Sequence, residues 1–277
     1  MTSKQMKDLL SNMSKRTGIN AQILQRNYMM ERLLERISLS EYKHNFILKG
    51  GMLVAAMVGI DSRSTLDLDA TIKNTLVSEE NIREIFISII SMDIGDDVCM
   101  KIKDISGIRD EFEYSCFRVS LTAQLGNTII PMKVDISTGD SITPKEVVYK
   151  FDLLLENRTI EVWAYNIETV LAEKLETIIS RDIANTRMRD FYDVYILTTT
   201  RKKDINIKTL KDALEQTSAT RRTELEYKTL NEDVQRIFAD VGLKKLWANY
   251  QKKFTYSQDI SWSQIEEKVQ ELLASIL

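Results

Sequence analysis

Two aspartates one residue apart, Asp67 and Asp69, stand among apolar residues in RSTLDLDATI, residues 63–72. Carboxylates this close repel and raise each other's pKa unless a cation neutralises them. A hard divalent ion is the simplest neutraliser, and magnesium is typically held by one or two carboxylates plus substrate phosphates. Read as a β-strand, the stretch puts Arg63, Thr65, Asp67, Asp69 and Thr71 on one face and Leu66, Leu68, Ala70 and Ile72 on the other. A third carboxylate, Asp135, sits in PMKVDIST, with Lys133 and Ser137 on its face and Met132, Val134 and Ile136 opposite. If the two strands are neighbours, three aspartates converge at the strand spacing of about 4.8 Å. Such a cluster suits two-metal displacement at phosphorus. The plainer alternatives are that the aspartate pair lines an exposed edge, and that Asp135 pairs with Lys133 or faces water.

Three further constellations carry charge or phosphate-binding geometry. LKGGML places Gly50 and Gly51 between a strand and a helix, where backbone N–H groups can approach an anion. A tight turn with positive φ would ask for the same glycines. On the helix from residue 167, Lys174 falls on the stripe of Ile167, Val170, Leu171, Leu175, Ile178 and Arg181. It either meets an anion such as a triphosphate or snorkels to water. In RMRDFYDV, Asp190 and Asp193 share a helix face, with Arg187 or Arg189 in reach; a surface ion-pair cluster is the commoner fate of such a run.

Positioning these groups takes a mixed α/β half. Helices are expected over 2–16 and about 21–37, the latter capped by Asn20. NFILKGG and RSTLDLDATI read as strands around the short apolar helix MLVAAMVG. A helix from Ser78 follows, then the strands DVCMKIKDI, YSCFRVSLTA and TIIPMKVDIST, with Pro131 at an edge or early position. After about residue 155 the pattern turns helical, with Asn166 capping one helix and Ser263 with Glu266 forming a capping box for the last. TTTRKKD and SATRRTE are expected as mobile loops. The fold class is α+β: a mixed sheet flanked by helices over 1–157, and an all-helical half over 158–277.

Composition narrows the chemistry. The 277 residues are 43% hydrophobic with a net charge of −3, so a sizeable core is expected and no global attraction to polyanions. A single histidine, His44, removes most zinc sites and histidine-based triads. It reads as a surface residue, and Trp163, Trp247 and Trp262 as packing residues. Two cysteines without metal spacing, no secretory leader and no long apolar span point to a reduced cytoplasmic setting and no membrane partner.

LKGGMLV, RSTLDLDATI, KVDIST, ETVLAEKLETIISR and RMRDFYDVYIL, in this order, resemble the AbiE nucleotidyltransferase toxins, a branch of the polymerase-β-like nucleotidyltransferase superfamily. The superfamily's usual Gly-Ser is Gly-Gly here. The resemblance implies magnesium, with manganese as a substitute, on Asp67, Asp69 and Asp135. It implies nucleotide binding by Gly50, Gly51, Arg63, Ser64, Thr65, Lys174 and Asp193, with Lys174 and Asp190 in the catalytic set. It further implies an NTP substrate, GTP or CTP favoured, an RNA acceptor of the tRNA class, and a bacterial phage-defence setting. There a cognate antitoxin would act without a stable direct complex.

On this reading the protein transfers an NMP from an NTP to RNA, and Arg201-Lys202-Lys203 and Arg221-Arg222 are candidate phosphate-backbone contacts. An antibiotic nucleotidyltransferase and a nucleotide-sensing module without turnover are the alternatives.

Overall fold

A computed structural model of the chain describes residues 1–75, 77–109, 115–223, 225 and 229–277. Tyr114, at the start of one expected strand, and Glu224, at the end of one expected loop, fall outside them. Two compact units emerge: residues 1–139 with 146–164, and residues 140–145 with 165–277. The compositional boundary at 157 lies between the last two strands of the first unit.

The first unit opens with α1 (Ser3–Thr17), started by a Thr2–Gln5 capping box and stopped by Gly18 at φ 74°. α2 (Ala21–Leu39) follows, capped by the Asn20 side chain accepting from the Gln22 N–H. Then come β1 (Phe46–Lys49), α3 (Gly50–Val58), β2 (Leu68–Ile72), α4 (Glu79–Ile90), β3 (Val98–Arg109), β4 (Ser115–Leu125), β5 (Thr128–Ser137), β6 (Val147–Asp152) and β7 (Thr159–Ala164). The strands form one sheet in the order β3-β4-β5-β2-β1-β7-β6. β2 runs parallel to β5, and β1 parallel to β7; the other pairs are antiparallel. Alternation explains the faces: in β5, Thr128, Ile130, Met132, Val134 and Ile136 are buried, and the residues between them are more exposed. α2 packs on β5 and β7, α3 on β1 and β2, and α4 on β3.

Three features depart from the sequence expectations. β2 begins at Leu68, so Arg63–Leu66 are not strand. Their polar groups bond locally instead of to a ladder: Thr65 Oγ1 donates to the Asp67 carbonyl at 3.1 Å, and the Thr65 carbonyl accepts from Asn27 of α2 at 3.0 Å. β6 and β7 were not anticipated; β7 does alternate, with Ile160, Val162 and Ala164 buried, whereas edge strand β6 leaves Val147 and Val148 exposed. Pro131 lies in an interior strand, but the β2–β5 register begins only at Val134, so no β2 carbonyl opposite it needs a donor.

One turn of α2 grips the β6–β7 turn. Glu31 accepts the Leu154 N–H at 3.0 Å, Arg32 bonds Glu156 at 2.8 Å, and Glu35 takes both arms of Arg158 at 2.5 and 2.9 Å. Burial pushes the Glu31 carboxyl up to about 8, against the opposing pull of the Leu154 N–H and Arg32.

The second unit is helical: α5 (Ile167–Arg181), α6 (Met188–Thr200), α7 (Ile207–Arg221), α8 (Leu230–Ala239), α9 (Val241–Lys253) and α10 (Trp262–Ile276). Phe191, Phe238, Trp247 and Trp262 form its aromatic core, and the two indole N–H groups donate to the Ile260 and Phe238 carbonyls. α10 is capped by Ser261 with Gln264, not by Ser263 with Glu266. The earlier cap places Trp262 in the first turn, where its ring joins that core. TTTRKKD is not a loop, since it completes α6 and a 3-10 turn; most of SATRRTE is the last turn of α7. His44 is exposed and its ring tilts on Trp163 at 5.7 Å. Among the described residues no helix is long and apolar enough to cross a membrane.

Candidate active site

The polar groups of the first unit gather where β1 ends, α3 starts and β2 begins. Asp69 is the pivot. It faces Lys49 of β1 in the antiparallel register and Asp135 of β5 in the parallel one. Direct register partners share a face, so Asp69 and Asp135 sit side by side, with Thr71 and Ser137 joined below them at 3.1 Å. Asp67 comes two residues earlier, in the bend that leads into β2, and is half-buried.

The glycine pair is explained by this pivot. Gly50 has φ +65°, and a Cβ there would lie 2.1 Å from Asp69 Oδ2. The Gly51 N–H donates to that oxygen at 3.3 Å, and a Cβ on Gly51 would lie 2.8 Å from Thr65 Oγ1. Lys49 gives α3 no side-chain cap, so the Asp69 carboxylate serves its N-terminus, where a negative charge is favoured. Arg63 is buried beside Gly51, with one guanidinium nitrogen donating to the Ser64 carbonyl. Ser64 and Thr65 are buried too.

Arg118 of β4 is the member that sequence reasoning missed. It is the antiparallel partner of Asp135 and clamps both its oxygens at 2.7 Å. The bond to Asp135, with added attraction from Asp67 and Asp69, raises the guanidinium pKa further. Neither alternative for Asp135, Lys133 or open water, is what the carboxylate meets. The alternation of YSCFRVSLTA marks Arg118 as polar, but only the β4–β5 register shows that it reaches Asp135.

In the second unit Lys174, Asp190 and Asp193 meet one another. The Lys174 ammonium donates to Asp190 at 2.5 Å and lies 3.3 Å from Asp193, and Arg187 reaches Asp190 at 2.6 Å. Both aspartates are buried and the lysine side chain is 12% exposed, so the cluster is neither a surface ion pair nor a snorkelled amine. Burial alone would raise the Asp190 pKa, but Lys174 and Arg187 outweigh it and hold the carboxyl at about 2. Lys174 is shifted upward because the two carboxylates outweigh its burial.

Asp67, Asp69 and Asp135 offer only hard oxygen donors and are all partly accessible, which suits magnesium or manganese in kind. Among the described residues no three His, Cys, Asp or Glu side chains stand ready around one metal position. Asp67 and Asp69 therefore fit such an ion as a two-carboxylate set completed by phosphate and water, while Asp135 is engaged by Arg118.

Solved structures share this architecture. JHP933 of Helicobacter pylori is similar at 16% identity and TM-score 0.52, over 93% of this chain and 93% of its own. A candidate nucleotidyltransferase of H. pylori is similar at 16% identity and TM-score 0.52, over 93% of this chain and 96% of its own. No curated protein matches the sequence. A family model, the nucleotidyl transferase AbiEii toxin of type IV toxin–antitoxin systems, matches residues 32–274. That span takes in every polar group of the candidate site, and the chain belongs to the AbiEii nucleotidyltransferase toxin family.

Proposed function

We propose that the protein is a magnesium-dependent toxin that transfers an NMP from an NTP to an RNA hydroxyl, with tRNA as the acceptor class. The observation that carries this is the β2–β5 register, which sets Asp69 beside Asp135 with Asp67 two residues before. The acceptor oxygen would bond to the α-phosphorus while the bond to the β-phosphate oxygen breaks and pyrophosphate leaves. Asp67 and Asp69 would hold the magnesium ion, or manganese in its place, beside Asp135 in its Arg118 clamp. Such an ion supplies positive charge to the phosphates and lowers the pKa of the attacking hydroxyl. Gly50 and Gly51 let the backbone at the start of α3 lie directly against Asp69 and Thr65, and these glycines with Arg63, Ser64 and Thr65 have a nucleotide-binding role in this reading. Lys174 and Asp193 keep a nucleotide-binding role in this reading and Lys174 and Asp190 a catalytic one, and GTP or CTP is the favoured substrate. The setting is the bacterial cytoplasm, in phage defence, with an antitoxin that makes no stable complex.

A nucleotide-binding module without turnover is the second reading. One observation favours it: Asp135 is clamped by Arg118 rather than open beside Asp69. Incubation with each of four α-labelled NTPs, magnesium and total RNA separates the two. Labelled RNA with the native chain and none with Asp69→Asn supports transfer; nucleotide binding without any labelled product supports the module.

A further inference from the structure

Of the two basic clusters that stand out in the sequence, one arginine is spent inside the helical unit and two more cations sit in exposed ion pairs. Arg221 turns inward, bonded to Glu176 and 3.1 Å from Glu173. Arg201 pairs with Asp204 at 3.0 Å, and Lys202 lies 4.0 Å from Glu271. Helix α9 is different. Its sequence, VGLKKLWANYQKK, contains four lysines and no acid. Leu243, Trp247 and Tyr250 are buried, whereas Lys244, Lys245, Lys252 and Lys253 are all exposed, and none is in an ion pair with a described residue. Cations concentrated on one face of a chain with net charge −3 create a local positive field that the total conceals.

A second observation lies at the end of that helix. Phe254 and Tyr256 are half-buried and stacked, with centroids 5.4 Å apart and planes 24° apart. Arg189 of α6 lies 5.4 Å from the Phe254 centroid, and Lys253 lies 5.6 Å from it. A cationic track that ends on a partly open aromatic pair is the arrangement that holds single-stranded nucleic acid: lysines follow phosphates and rings stack on bases. An anionic membrane would attract the same lysines, but the apolar face of α9 that could insert is buried in the core, and a bilayer gives the aromatic pair no base to stack on.

We infer that the lysine face of α9, continued by Arg189, Phe254 and Tyr256, is the RNA-binding surface of this protein. The inference rests on the proposed RNA acceptor and gives it a location. Each lysine–phosphate contact contributes about 0.7–0.9 to the slope of log affinity against log salt. Binding without nucleotide tests the surface apart from catalysis. The probe is fluorescein-labelled bulk tRNA, titrated by anisotropy across a salt series. Two variants are compared with the native chain: Lys244, Lys245, Lys252 and Lys253 all to Gln, and Phe254→Leu. The first should lower the slope by about 3 and low-salt affinity at least ten-fold. The second should lower affinity several-fold at unchanged slope. Circular dichroism checks that both fold. A lysine variant that folds and binds tRNA with native slope and affinity overturns the inference, as does a native chain that binds phosphatidylserine vesicles and not tRNA. If the native chain binds tRNA through these lysines yet labels none of it with any NTP, the surface stands and the transferase reading fails.

Discussion

Asp69 is held from two directions, by the α3 N-terminus through Gly51 and by the strand register that sets it beside Asp135. That dual restraint makes the residue rigid before any ligand arrives, as the proposed metal-binding role requires. Asp67→Asn and Asp69→Asn should each abolish NTP turnover, with thermal melting within a few degrees of the native chain. Turnover that survives in either would remove the metal assignment. Gly50→Ala is the complementary change. It places a Cβ 2.1 Å from the Asp69 carboxylate at a positive φ, so it should both destabilise the fold and impair activity. Native activity and melting in that variant would show that the close approach is not needed. At Lys174 the expectation has two parts. Lys174→Ala leaves Asp190 and Asp193 buried without their shared cation, a loss of about 3–5 kcal/mol by denaturant unfolding. If Lys174 also serves the nucleotide, calorimetry in magnesium should show weaker binding of every NTP in preparations that remain folded; equal affinity would leave it a structural role alone.

At the scale of elements, caps and turns decide where side chains land. Two overlapping signals compete at the start of α10, Ser261 with Gln264 and Ser263 with Glu266, and the first wins. Ser261→Ala should therefore cost about 1 kcal/mol by chemical denaturation, and Ser263→Ala less than about 0.5. The reverse order would contradict the cap. Much of the first unit was legible in this way, because α1, α2, α3 and α4 carry caps or glycine boundaries and β3, β4 and β5 alternate. The stretch from Arg63 to Leu66 was not, because a period of two also fits a bend held by Thr65 and Asn27, and only tertiary contacts distinguish them. The β6–β7 hairpin escaped for a related reason: β6 exposes its valines at a sheet edge, so its pattern lacks the usual inside–outside contrast. The Asp69–Asp135 juxtaposition was legible as a condition, that the strands be neighbours. The Arg118 clamp needed a register that alternation alone does not supply.

For the whole molecule, the clamp between α2 and the β6–β7 turn adds a pH dependence. Glu31 has a folded pKa near 8, above its ordinary 4.5, so its protonated form favours the folded state. The contribution is complete below about pH 4.5 and is lost as pH rises through about 8. Glu31→Gln, which keeps an acceptor for the Leu154 N–H, should come close to the native stability at pH 5 and exceed it by a few kcal/mol at pH 8.5. Parallel stability curves for the two proteins would exclude this titration. Neither this clamp nor the Lys174 cluster reveals an acceptor. The net charge of −3 is no guide either, because it conceals the four lysines that α9 carries without an acid.

In the proposed function, a carboxylate pair on β2 and its approach drives nucleotidyl transfer. The most direct measurement is incorporation of label from α-labelled GTP, CTP, ATP and UTP into total RNA, in magnesium, by the native chain and by Asp69→Asn. At least one nucleotide should label RNA with the native chain, chelation of magnesium should stop it, and Asp69→Asn should label nothing while melting like the native protein. Equal labelling by the native chain and Asp69→Asn, or label found only on protein or a small molecule, would contradict the proposed function.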